Sequence, residues 1–119
     1  MDKRNKSISF KLNATHKELL DKKAQAVNLN LTDYLLCLNK LVNLDDEKTI
    51  LNIREFIKIE LTLLTKDYPF AMSMRVNDKD KELIINNSER IGCSQANFLI
   101  SIGLLSNIVI KVNKKMEIK

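Results

Sequence analysis

KSISFKLNATHKELLDKKAQAVNLNLTDYLLCLNKLVN, from Lys6 to Asn43, has a counterpart 64 positions further on. There FAMSMRVNDKDKELIINNSERIGCSQANFLISIGLLSN runs from Phe70 to Asn107, and the two stretches align without a gap. Ser9, Asn13, Lys17, Glu18, Leu19, Leu35, Leu41 and Asn43 recur as Ser73, Asn77, Lys81, Glu82, Leu83, Leu99, Leu105 and Asn107. Ile8/Met72, Phe10/Met74, Leu12/Val76, Val27/Ile91, Tyr34/Phe98 and Leu38/Ile102 keep apolar character without identity. A repeat that preserves apolar positions preserves a fold, and its polar positions are free to carry function.

Within each copy the apolar period changes. Ile8, Phe10 and Leu12 alternate with Ser7, Ser9 and Lys11, and Met72, Met74 and Val76 with Ala71, Ser73 and Arg75. A period of two predicts a short strand with one buried and one polar face, which needs a partner strand. The other copy supplies the obvious one. Asn13, or Thr15 with Glu18 as a capping box, opens a helix to about Val27 with Leu19, Leu20, Ala24 and Val27 at helical spacing. Asn77 or Asp78 opens its equivalent, with Leu83, Ile84 and Ile91. Asn28 and Gly92 tolerate the left-handed conformation that ends helices, and Asn30 and Ser94 cap a second helix. That helix carries Leu35, Leu38, Leu41 and Val42 in one copy and Leu99, Ile102 and Leu105 in the other. The expected fold class is mainly α with a short two-stranded antiparallel ribbon. Tandem strand-helix-helix units at 6–43 and 70–107 are expected to form it as an intramolecular pseudo-dimer, the alternative being that each copy pairs with a copy from another chain.

Residues 44–69 join the units and hold no glycine, with Pro69 at the end as a stop before the second strand. Asp45, Asp46 and Glu47 suit a helix N-terminus, and Ile50, Ile53, Ile57, Leu61 and Leu64 follow at helical spacing. Ile57, Ile59, Leu61 and Leu63 alternate as a strand would, but the longer pattern favours a connecting helix. Residues 108–119 form a basic tail.

The net charge is +5 over 119 residues, unevenly placed. Residues 1–43 carry eight Lys/Arg against four Asp/Glu, 44–69 four against six, 70–107 four of each, and 108–119 four against one. Basic charge gathered in the first copy and the tail suits a polyanionic partner. Cys37 and Cys93 lack metal-ligand or disulfide-framework spacing and are expected as buried thiols of a reducing cytoplasm. The charged N-terminus and the short apolar run Phe98–Ile110 predict a soluble, cytoplasmic chain without a membrane partner. Catalytic chemistry is not expected. His16 stands alone and reads as a surface residue, Gly92 and Gly103 form no phosphate loop, and Glu18, Asp21 and Glu82 lie on exposed helix faces. No cofactor and no metal are implied.

The paired strand, the helix-turn spacing and the Gly92-Cys93-Ser94 turn resemble the ribbon-helix-helix family of bacterial DNA-binding proteins, the MetJ/Arc type; Asn28-Leu29-Asn30 is a looser version of the same turn. The resemblance covers about 76 of 119 residues. It implies a ribbon lying in the major groove of double-stranded DNA. Carried over, it implies base contacts from Ser7, Ser9, Lys11, Ala71, Ser73 and Arg75. Arginine and lysine suit guanine O6/N7, serine donates or accepts, and alanine meets a thymine methyl. Phosphate contacts are implied at the second-helix N-termini, Asn30, Leu31 and Thr32 and Ser94, Gln95 and Ala96, with Lys3, Arg4 and Lys6 of the leading arm beside them. Two copies on one polypeptide are similar to plasmid transfer and relaxosome accessory proteins and to some repressors. The other expectation is a protein-interaction module, an antitoxin-like or transfer-complex scaffold. A second copy of the chain or a plasmid-transfer protein would then dock through residues 50–64.

Overall fold

A computed structural model describes residues 4–62 and 70–106. Strand β1 (Lys6–Leu12) leads into helices α1 (Ala14–Ala26) and α2 (Leu31–Leu41). Helix α3 (Glu47–Phe56) continues into a π-helical stretch (Ile57–Thr62), and β2 (Phe70–Val76), α4 (Asp78–Ile91) and α5 (Gln95–Leu104) repeat the opening order. The chain is therefore mainly helical with one two-stranded antiparallel sheet. No helix among the described residues is long and apolar enough to cross a membrane.

The local reasons for these elements are the same in both halves. Asn13 and Asn77 hold extended backbone and accept from the amides of His16 and Asp80, each at 2.7 Å. Asn30 and Ser94 do the same for Asp33 at 2.8 Å and Asn97 at 3.0 Å. Each cap satisfies an amide that the first helical turn leaves without a partner. Thr15 lies inside α1, so the capping-box alternative is not used. Asn28 and Gly92 take φ values of 61° and 90°. Beyond them the Leu29 and Cys93 amides bond back to the Ala24 and Ser88 carbonyls at 3.0 and 3.1 Å, closing both turns alike.

In β1 and β2 every second residue faces the helices. Leu12, Met74 and Val76 are fully buried and Ile8 and Phe10 nearly so, while Met72 is half-buried. Helices α4 and α5 pack directly on β1. Helix α2 packs on α5, α1 reaches α5, and α2 reaches α4, so each strand-helix-helix unit completes its core with the other unit. Leu20, Leu35, Leu38, Ile84, Phe98, Leu99 and Ile102 fill the centre.

The connector is a helix, not a strand, over its described part; Asp46 caps it, and Ile53 and Leu61 are buried in the common core. Leu64, Pro69 and the basic tail lie outside the described residues. Helix α3 lies over the C-terminal end of α4, where Arg54 Nε donates to the Ile91 carbonyl at 2.9 Å. That placement explains one departure from expectation. Ile91 is buried beside α3, but its counterpart Val27 is 54% exposed because α1 has no such cover. Leu19 is also exposed, since the inward stripe of α1 is His16, Leu20 and Ala24.

Two further expectations are corrected. His16 is 6% exposed instead of lying on the surface, because the connector folds over the start of α1. Its ring centroid stands 6.3 Å from that of Phe56 and its Nε2 3.9 Å from Glu60 Oε1. Cys37 is exposed, since it falls on the outer side of α2, and Cys93 is only half-buried.

Candidate functional site

Antiparallel pairing sets Ser7 opposite Arg75, Ser9 opposite Ser73 and Lys11 opposite Ala71. All six side chains point away from the helices and are exposed, so the pairing gathers the six predicted base-contact residues on one face. Neither strand carries a carboxylate. The cations stand at opposite ends, Lys11 beside Ala71 and Arg75 beside Ser7, with the two serines between. A shallow open depression lined by Ser9, Phe10, Lys11, Ala71, Met72 and Ser73 marks the Lys11 half. This face offers hydroxyl donors and acceptors, two flexible cations and one methyl group.

The predicted phosphate-contact residues sit in two unlike settings. At the start of α2, Asn30 is exposed and Leu31 and Thr32 are half-buried. Arg4 Nη2 pairs there with Asp33 Oδ1 at 2.8 Å, which holds Arg4 against this helix end. At the start of α5, Ser94 is exposed, Gln95 and Ala96 are half-buried, and no acidic side chain lies in the first turn. Lys6 is exposed at the beginning of β1, and Lys3 lies outside the described residues.

Sequence reasoning missed Lys81. Its ammonium donates to Gln95 Oε1 at 3.0 Å and to the Ser7 carbonyl at 3.4 Å, joining the ribbon edge to the start of α5. The identity of Lys17 and Lys81 in the repeat was the available signal. Lys17, however, pairs with Asp21 on its own helix at 2.6 Å, so the two lysines do different work. Arg54 and Lys58 were also unassigned; they line a cleft with Ile57, Ile91, Gly92 and Cys93 beside the α4–α5 turn.

Burial in that cleft pushes the Cys93 thiol up to about 11, against a smaller opposing effect of Arg54. Thiolate is the reactive form. Alkylation near neutral pH, followed by mass spectrometry, is therefore expected to label exposed Cys37 at least on the order of tenfold faster than Cys93.

His16, beneath the connector, is also perturbed. Burial lowers its pKa, and nearby Glu60 opposes the shift only in part. Its Nδ1 has no hydrogen-bond partner. The unfolded chain thus takes up the imidazole proton more readily than the native one, and stability falls as pH drops below about 6.5. Urea titrations between about pH 7.5 and pH 5 should show His16→Gln losing less stability on acidification than the parent chain.

Among the described residues no group of three or more His, Cys, Asp or Glu side chains could hold a metal ion. No family model, no curated protein and no solved structure matches this chain.

Proposed function

We propose that this chain is a tandem ribbon-helix-helix protein that binds double-stranded DNA sequence-specifically by laying β1 and β2 into the major groove. It would act as a transcriptional repressor or as a plasmid relaxosome or transfer accessory factor. The observation that carries the reading is the register of the ribbon. Ser9 pairs with Ser73, its own counterpart in the repeat, as a two-fold axis through that pair requires. The register supports an intramolecular pseudo-dimer, and the outer face of the ribbon is polar, cationic and free of carboxylates.

The dimensions suit the role. Seven-residue strands rise about 3.3 Å per residue, giving a ribbon of about 20 Å. The major groove, about 12 Å wide, admits a two-stranded ribbon and presents a distinct pattern for each base pair. Arg75 is suited to fork onto guanine, Lys11 to donate to the same acceptors, and Ala71 to meet a thymine methyl. Helix starts at Asn30–Thr32 and Ser94–Ala96 offer free amides to phosphates on either side, with Lys6 adding charge and Arg4 offsetting the Asp33 carboxylate. Because the two ends of the ribbon differ, the preferred site is an imperfect palindrome.

The competing reading, a protein-interaction module, draws on Leu51 and Ile59, which are 60% and 45% exposed on the connector. Selection from a random duplex library at physiological salt separates the two. An enriched asymmetric motif is expected. An unenriched pool, with binding lost as salt rises, would leave only attraction to phosphate and overturn sequence-specific reading.

A further inference from the structure

Where α1 and α2 of the first strand-helix-helix unit meet α4 and α5 of the second, several contacts involve residues that differ between the two copies. The tightest is at Gly103 of α5. A Cβ there would lie 2.5 Å from Leu20 Cδ2 and 2.8 Å from Leu35 Cδ2, both on fully buried leucines of the first unit. The counterpart of Gly103 is Asn39. Tyr34 donates its hydroxyl to the Gly103 carbonyl at 3.0 Å in the interior, and the counterpart of Tyr34 is Phe98, which has no donor. Asn87 Nδ2 donates to Asn39 Oδ1 at 2.9 Å, and the counterpart of Asn87 is Lys23. Lys40 Nζ stands 3.8 Å from Oδ1 of buried Asp80, whose counterpart is His16.

The same two-fold relation predicts what like units would meet. Two first units would press Asn39 into the space that Gly103 leaves for Leu20 and Leu35, and would set Lys40 against His16. Two second units would leave the buried Asp80 carboxylate facing Leu104, the counterpart of Lys40, and the Gly103 carbonyl facing Phe98. Buried polar groups without partners and atoms without room both disfavour an association. The unlike pair avoids these particular conflicts, although Asn39 Nδ2 stays buried there without a hydrogen-bond partner.

We infer that the seam of α2 against α4 and α5 is a pairing lock that admits only unlike units as partners. Every ribbon this protein builds then has one Ser7/Arg75 end and one Lys11/Ala71 end. Two chains cannot join first unit to first unit and second to second, so symmetric ribbons with two lysine ends or two arginine ends do not form. The inference rests on the equivalence of the two units proposed above. It adds that DNA is met with a fixed polarity, one orientation of the chain per site.

Thiol cross-linking at the centre of the ribbon tests this on the full-length chain. In a background of Cys37→Ser and Cys93→Ala, position 9 faces position 73 in an unlike ribbon and faces its own copy in a like one. Chains carrying Ser9→Cys alone, Ser73→Cys alone, or both are refolded from denaturant at high concentration and mildly oxidised. The single variants are expected to stay monomeric on a non-reducing gel, and the double variant to link position 9 to position 73. Appreciable disulfide-linked dimer from either single variant would overturn the lock. A folded double variant that does not link would instead overturn the ribbon pairing, and the lock with it.

Melting of Gly103→Asn separates the seam from the mere tether of one polypeptide. The midpoint is expected to fall by roughly 5–15 °C, as overpacking in a small domain does. Gly103→Ala, which adds only the Cβ, should fall by less and still fold. If both melt within a degree or two of the parent, the connector alone brings the units together and the lock is refuted.

Discussion

Replacing Lys11 and Arg75 together with alanine is expected to remove the proposed sequence-selective DNA binding while leaving the fold in place. Both side chains are exposed on the outer face of the ribbon, directed away from the core. The double variant should therefore unfold within about 0.5 kcal/mol of the parent. A good contact from such a side chain to a base edge contributes about 1–3 kcal/mol of discrimination. Lys11 lies opposite Ala71, four residues along β2 from Arg75, which separates the two by about 13 Å. Effects at that distance add, giving about 2–6 kcal/mol, or roughly 30-fold to 10⁴-fold in affinity for the preferred site. Fluorescence anisotropy on the selected duplex and on a scrambled one reads the result. Loss on the selected duplex with little change on the scrambled one marks base reading. An equal loss on both, with a salt dependence shallower by about 0.9 per lost contact, would mark the two cations as phosphate contacts instead.

The residues of this ribbon were legible from sequence because strand alternation is a local property. Ser7, Ser9 and Lys11 sit between core residues within one short strand, and no distant contact is needed to decide which way they face. The caps at Asn13, Asn30, Asn77 and Ser94 and the turns at Asn28 and Gly92 were legible for the same reason, since each acts on amides or carbonyls a few residues away. Pairing of β1 with β2 was reachable through the repeat, because neither strand has another partner of its own kind.

Much of what failed depended on where the connector lands. The polar neighbours of His16 on α1 suggest a surface residue, but Phe56 and Glu60, roughly 40 positions away, fold over it. Val27 and Ile91 hold the same place in the repeat, yet only Ile91 lies beneath α3. The pairing of Lys81 with Gln95 has a different cause, since the counterpart of Gln95 is Leu31, which offers Lys17 no acceptor. A connector laid unequally over the two halves, on the start of α1 in one and the end of α4 in the other, breaks the symmetry that the repeat suggests. Periodicity within a segment carries no information about where that helix settles.

Phe98→Ala should cause the largest loss of stability among single substitutions in the helices. Phe98 is fully buried and heads the fully buried side chains by volume. It lies on α5, the helix that packs against α1, α2, α3 and α4, so the space it leaves borders both units. Truncation of a buried phenylalanine costs about 3–5 kcal/mol, combining lost transfer free energy with a cavity that neighbours only partly fill. Against a total of about 5–15 kcal/mol for a domain, that is a large share, and the variant should melt at least about 10 °C lower. Tyr34→Phe supplies the contrast at the equivalent position. It keeps the ring and removes only the hydroxyl that serves the Gly103 carbonyl, so about 0.5–1.5 kcal/mol is expected. Urea titrations at one pH order the two variants. If Phe98→Ala cost no more than Tyr34→Phe, α5 would not be the element on which both units close, and the shared core would be wrong. If the order holds, the ribbon's register follows from it. The strands are too short to persist alone, and they meet where they do because the helices beneath them share one interior.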